Sequence, residues 1–145
     1  MRRSVLLGLL LIASGAPVQA QMQLAPPEQN AMGKKFNGPP SGLAALYFFN
    51  PSAAAWPIAV FTGPDRIGEL GPNTWMRVEL SPGWHEMRCR TPDAANPTSI
   101  TLAPGDIRFV AVQQQAGEPD CSISEAPTEV GRNAVLQGTR AFQRQ

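Results

Sequence analysis

The chain has 145 residues, 43% of them hydrophobic and 16% charged, with 12 Lys and Arg against 11 Asp and Glu. This length predicts a single domain, and the balanced charge gives no electrostatic basis for binding nucleic acid or an anionic membrane surface. One histidine and two cysteines are too few ligands for a structural zinc site, and we expect neither a metal nor a cofactor.

The first twenty residues have the pattern of a secretory signal peptide. Arg2 and Arg3 form a positive start, residues 5–13 (VLLGLLLIA) form a short apolar core, and residues 14–20 end in a small-x-small pattern. We therefore expect cleavage between Ala20 and Gln21. The alternative is a retained anchor, but the apolar run is only about half of what a membrane-spanning helix needs.

Cleavage at that junction would release a chain with ten basic and eleven acidic residues, of net charge −1. No cysteine stands directly after the apolar core, where a lipid would be attached. We therefore expect a periplasmic or secreted protein that has no membrane anchor once the signal peptide is removed.

Residues 21–42 contain four prolines, three glycines and only scattered apolar residues. Without periodic apolar positions such a segment buries too little surface to offset the entropy lost on ordering it. The sequence therefore predicts a flexible leader over residues 21–42.

From residue 43 onwards, short apolar or alternating runs are separated by Pro/Gly turns every eight to twelve residues. This punctuation predicts one antiparallel β-sandwich domain over residues 43–137, followed by a C-terminal tail of residues 138–145. Residues 107–115 are apolar on both faces at their middle, which suits a central strand, and residues 121–125 suit a short edge strand. The one helical candidate is residues 129–142. The expected strands cover residues 43–50, 56–61, 66–70, 74–80, 84–90, 98–102, 107–115 and 121–125.

Residues 74–80 and 84–90 alternate with period two on either side of Pro82-Gly83, which predicts a hairpin. One face of each run carries the charged residues and a tryptophan. Exposed aromatics beside arginines have the composition of a binding patch. The candidate binding residues are therefore Trp75, Arg77, Trp84 and Arg88. The alternative, which the general burial of large aromatics favours, is that the second sheet or the C-terminal segment covers both rings.

The turns and their flanks resemble those of a bacterial envelope family, the domain-of-unknown-function family 2846. The resemblance covers about residues 43–137 and lies in the order of LYFFNP (46–51), IGEL (67–70), SPGWH (81–85), LAPG (102–105) and FV (109–110). The chain departs from the family in having Asn50 where arginine is usual and in lacking a lipid-anchor cysteine. The resemblance implies a small β-sandwich of the transthyretin or carboxypeptidase-regulatory-like kind, and it implies no activity.

His85 is the one histidine, so any catalysis that needs a histidine depends on it. Its neighbour Glu86 points to the opposite face of a strand, and nothing around Ser81 resembles a nucleophile elbow. We therefore interpret His85 as a structural residue.

These observations favour a non-catalytic accessory domain that binds an envelope protein or a glycan. The alternative is a small periplasmic hydrolase or carbohydrate-processing enzyme. A deep pocket holding His85 beside a carboxylate would favour the enzyme, whereas flat faces with Trp75 or Trp84 exposed would favour binding.

The two cysteines are Cys89 and Cys121. An oxidising compartment allows them to pair, and the bond would tie the strand of Cys89 to the segment that follows residues 107–115. We expect this disulfide, with two separate buried thiols as the alternative.

Overall fold

The computed structural model describes residues 22–52, 57–95, 97–114 and 120–144. Two β-sheets pack face to face, and two helices, α1 (Pro27–Gly33) and α2 (Thr128–Gln137), lie on the outer face of one sheet. No helix within these ranges is long and apolar enough to cross a membrane. The strands are β1 (Ala44–Asn50), β2 (Ile58–Thr62), β3 (Asp65–Leu70), β4 (Thr74–Leu80), β5 (Gly83–Cys89), β6 (Thr98–Leu102), β7 (Ile107–Gln114), β8 (Cys121–Ala126) and β9 (Thr139–Arg140).

The β-sandwich with a short C-terminal helix is as the sequence predicts. One sheet has the strand order β8-β7-β1-β4-β9 and the other has the order β3-β2-β5-β6. Strand β7 is an interior strand with a neighbour on each side, and β8 is at an edge, as predicted. The pairings β1–β7 and β4–β9 are parallel, however, and the other pairings of the named strands are antiparallel.

The predicted signal peptide of residues 1–20 and the junction between Ala20 and Gln21 lie outside the described residues. So does Trp56, the first residue of the strand predicted over residues 56–61.

Strand β1 is buried over its whole length because both of its faces are covered. Leu46 and Phe48 face the space between the sheets, where they join the inward residues of β2, β4, β5, β6 and β7. Tyr47 and Phe49 face the helices and pack with Trp75, together with residues of β7 and α2. This double coverage explains the continuous apolar run of residues 43–49.

The predicted disulfide is confirmed. Cys89 ends β5 in the four-stranded sheet, Cys121 begins β8 in the five-stranded sheet, and their Cα atoms are 6.3 Å apart. The bond therefore joins the two sheets at the edge of the core that lies between them.

The structure corrects the prediction of a flexible leader over residues 21–42. Residues 27–33 form α1, which begins at a proline, and Gly33 lies directly on the indole of Trp75. The hydroxyl of Tyr47 donates a hydrogen bond to the carbonyl oxygen of Gly33 over 2.8 Å. This segment docks through backbone contacts at a glycine and not through a periodic apolar face. The spacing of its apolar residues therefore could not predict that it is ordered.

The predicted C-terminal tail is also part of the fold. Thr139 and Arg140 pair with β4, and Ala141 bridges to Leu24 in the N-terminal segment. The N–H of Ala25 donates to the carbonyl oxygen of Arg140 over 2.9 Å. The domain therefore extends beyond the predicted limits of residues 43 and 137 at both ends.

The predicted hairpin of β4 and β5 is wrong. Strand β4 pairs with β1 and β9, whereas β5 pairs with β2 and β6, so the turn at Ser81 and Pro82 carries the chain from one sheet to the other. Alternation and a Pro-Gly turn look the same for a hairpin and for such a crossing. In both cases one face of each strand faces the same core.

Replacing Gly131 by alanine is expected to destabilise the domain by about 1–3 kcal/mol, although alanine is the better helix former. Gly131 is on the inner face of α2, where a Cβ atom would overlap the buried ring of Phe109. Urea unfolding followed by circular dichroism measures this effect. Gly38→Ala is the control, since a Cβ atom there meets nothing within 4 Å and its change should be close to zero. A Gly131→Ala variant as stable as the wild type would contradict the packing of α2 on β7.

Candidate functional site

The four candidate binding residues do not form one patch, because β4 and β5 lie in different sheets. Trp75 and Arg77 are on the helix-covered face of the five-stranded sheet, and Trp84 and Arg88 are on the outer face of the four-stranded sheet. The structure therefore offers two separate surfaces on opposite sides of the sandwich.

Trp75 is fully buried, so it is not a surface binding residue. Its indole packs on Gly33, its ring centroid is 5.7 Å from that of Tyr47, and the guanidinium of Arg140 lies 5.5 Å above it. The covering that the sequence analysis considered for both tryptophans, by the C-terminal segment, thus occurs for Trp75. Trp75 stabilises the fold.

Trp84 is 63% exposed, so the expected burial of both rings does not hold for it. It follows Gly83 at the start of β5 and points away from the core, because Met87 and Cys89, at the alternate positions, face inward. Its direct neighbour on β6 is Thr101, which is exposed. Trp84 therefore presents an aromatic ring at the outer surface of the four-stranded sheet.

Farther along the same face, Arg88 forms a salt bridge with Glu86 and donates from Nε to the carbonyl oxygen of Ala94 over 3.0 Å. Ser99, opposite Glu86, adds a hydroxyl group. These groups give the Trp84 surface, defined as Trp84, Glu86, Arg88, Ser99 and Thr101, a polar surround with balanced charge.

Arg77 lines a cleft of about 640 Å³ between α1, residues 37–40, β4 and the C-terminal segment. Its side chain is only 12% exposed, and Nη1 donates to the carbonyl oxygen of Asn37 over 2.8 Å and to the hydroxyl of Tyr47 over 2.9 Å. Nη2 faces the carboxylate of Glu79 at 3.4 Å. Arg77 is therefore fixed at the wall of this cleft.

Arg140 and Arg144 line the same cleft, together with Gln29 and Gln143, and none of the four is among the binding residues predicted from the sequence. Nη1 of Arg140 donates to the carbonyl oxygen of Gln29 over 3.2 Å. Burial lowers the pKa of the Arg140 guanidinium, and repulsion from Arg77 also lowers it, whereas Tyr47 and Glu79 act in the opposite direction. In an extended segment, successive side chains alternate between two sides, so residues 140 and 144 point to the same side. That spacing is the sequence signal that could have grouped the two arginines.

His85 lies at the turn between the sheets, where its Nε2 is 2.7 Å from the carbonyl oxygen of Ser81. Since a carbonyl oxygen only accepts, Nε2 carries the proton and donates it. This contact fits the structural role predicted for His85. In the described part of the chain, no group of three or more His, Cys, Asp or Glu side chains is arranged to hold a metal ion.

No family model and no curated protein matches this chain. Among solved structures, the chain is similar to the N-terminal domain of AlgF from P. aeruginosa, with 17% sequence identity and a TM-score of 0.41. The similarity covers 61% of this chain and 99% of that domain.

Proposed function

We propose that this chain is a non-catalytic periplasmic or secreted accessory domain that binds an envelope protein through the Trp84 surface. The signal-peptide pattern of residues 1–20 supports the compartment, and so does the Cys89–Cys121 disulfide, because such bonds persist mainly outside the cytoplasm.

The observation that carries the binding proposal is the 63% exposure of Trp84. Tryptophan and arginine are the residue types that most often dominate the energetics of protein interfaces, in a centre that loses water and a rim that stays polar. Here Trp84 would be the centre. The paired charges of Glu86 and Arg88, with the hydroxyls of Ser99 and Thr101, would be the rim.

A protein partner is favoured over a glycan because the surface offers one aromatic ring and a salt bridge already formed within the domain. A protein surface can bury the Trp84 ring and leave that salt bridge intact at the rim. Domain-of-unknown-function family 2846, which the turn motifs resemble, stays our proposal for the family.

The Trp84→Ala variant is expected to lose its partner while keeping its fold. The full chain and its variants, expressed with export and immobilised, are incubated with envelope extract, and the bound proteins are identified by mass spectrometry. Loss of an anchoring tryptophan costs about 2 kcal/mol or more, which is roughly a thirtyfold loss of affinity. Trp84→Ala should therefore no longer retain a protein that the wild type retains.

Leu136→Ala is the matched control, because Leu136 is 51% exposed on α2, away from the Trp84 surface, and its loss should leave the partner bound. A partner held equally by Trp84→Ala and the wild type would contradict the proposal. So would a bound component that resists complete proteolysis, since that result would identify a glycan.

A further inference from the structure

We propose that the cleft lined by Arg77, Arg140 and Arg144, here called the arginine cleft, binds a small ligand through an oxyanion group, either a carboxylate or a phosphate. This site is separate from the Trp84 surface, and it does not depend on the function proposed for that surface.

The lining of the arginine cleft has an excess of positive charge. Arg77, Arg140 and Arg144 bring three guanidinium groups to one cleft, and Glu79 is the acidic residue among the lining side chains. Glu79 is engaged by Arg77 at 3.4 Å, so an excess of positive charge remains. Guanidinium groups are the preferred partners of carboxylate and phosphate because their N–H fork matches two oxygens at once.

Without a ligand, the positive charges of Arg77 and Arg140 are held near each other in a partly buried cleft. Arg77 has a 12% exposed side chain, and burial lowers the pKa of the neighbouring Arg140, with a smaller contribution in the same direction from Arg77. Holding like charges together away from water is unfavourable unless an opposite charge compensates them. A bound anion would supply that compensation.

The guanidinium groups of Arg77 and Arg140 are held in place by hydrogen bonds within the domain. The hydroxyl of Tyr47 and the carbonyl oxygen of Asn37 hold Arg77, and the carbonyl oxygen of Gln29 holds Arg140 by Nη1. The hydrogen bond to Gln29 uses one N–H donor of the Arg140 guanidinium. Each guanidinium has five N–H donors, so Arg140 keeps donors for a ligand while its position is fixed.

The shape of the cleft agrees with a small ligand. Its volume of about 640 Å³ is typical of small-molecule sites, and the side-chain amides of Gln29, Asn37 and Gln143 add neutral polar groups to the lining. The indole of Trp75 lies under Arg140, so a ligand that moves this guanidinium also changes the surroundings of the indole.

The experiment is a titration of the exported full chain at low ionic strength, with citrate in one series and inorganic phosphate in another. Binding is followed by the NMR signals of the arginine Nε–H groups and of the Trp75 indole. We expect a saturable shift of the Arg77, Arg140 and Trp75 signals with at least one of the two anions. Saturation by citrate assigns a carboxylate ligand and saturation by phosphate assigns a phosphate ligand.

Two variants with opposite expected effects test the site. Arg140→Gln removes a charged donor and should weaken binding about tenfold or more. Glu79→Gln removes the competing carboxylate and should strengthen binding. Arg90→Gln, which follows β5 on the far sheet and lies outside both surfaces, is the control and should bind as the wild type does.

Unchanged backbone amide spectra away from the arginine cleft verify that each variant is folded. The proposal is overturned if neither anion causes a saturable shift, if Arg140→Gln binds as well as the wild type, or if Glu79→Gln weakens binding. Because Trp84 is on the opposite side of the sandwich, these outcomes are independent of those for the protein partner.

Discussion

Trp75→Ala is expected to lower the free energy of unfolding by about 3–5 kcal/mol, the cost of removing a fully buried large aromatic side chain. Trp75 is 0% exposed, and its indole fills the space between Gly33 on α1, Tyr47 on β1 and Gly138 at the end of α2. Its loss would leave a cavity under both helices. Urea unfolding followed by far-ultraviolet circular dichroism measures the change.

Trp84→Ala is the matched control, and it should change stability by less than about 0.5 kcal/mol because the ring is mostly in water. If Trp75→Ala does not fold, Trp75→Phe provides the comparison. The indole Nε1 has no hydrogen-bond partner in the described residues, so phenylalanine loses packing but no hydrogen bond. Equal stability changes at residues 75 and 84 would show that the assignment of the two faces is wrong.

Removing the Cys89–Cys121 bond is expected to cost about 3–4 kcal/mol, from the chain entropy of a loop closed by cysteines 32 positions apart. We propose the double variant Cys89→Ala/Cys121→Ala, which leaves no unpaired thiol. This loss would be a large part of the roughly 5–15 kcal/mol that stabilises a typical domain. Its midpoint of urea unfolding should fall well below that of the oxidised wild type.

A reducing agent tests the same bond without mutation. Reduction should lower the stability of the wild type towards that of the double variant and leave the double variant unchanged. A wild-type midpoint that does not respond to full reduction, verified by mass spectrometry of alkylated thiols, would contradict a stabilising role for the bond.

Much of the strand pattern could be predicted because its signals are local. Thr74–Leu80 and Thr98–Leu102 have the predicted bounds, since turn residues end each run. The pairing of β1 with β7 and the crossing from β4 to β5 depend on contacts between distant residues. Alternation assigns a residue to a side of its strand and does not say what covers that side.

The site was harder to predict for the same reason. Trp75 and Trp84 have the same kind of sequence surroundings, but α1 and the C-terminal segment cover only Trp75. The arginine cleft combines Arg77 with Arg140 and Arg144, more than sixty residues farther along the chain. The pairing of β9 with β4 and the docking of α1 bring these residues together, whereas the sequence predicted a flexible leader on one side and a helix or a tail at residue 140 on the other.

That docking has a consequence for the order in which the protein matures. Residues 22–36 make several of their contacts with Leu136, Arg140 and Ala141, which lie more than a hundred positions farther along the chain. Those contacts therefore form only after residues 136–141 have been synthesised and have reached their place beside β4. Until both segments are docked, the aromatic cluster of Tyr47, Trp75 and Phe109 beneath them stays open to solvent.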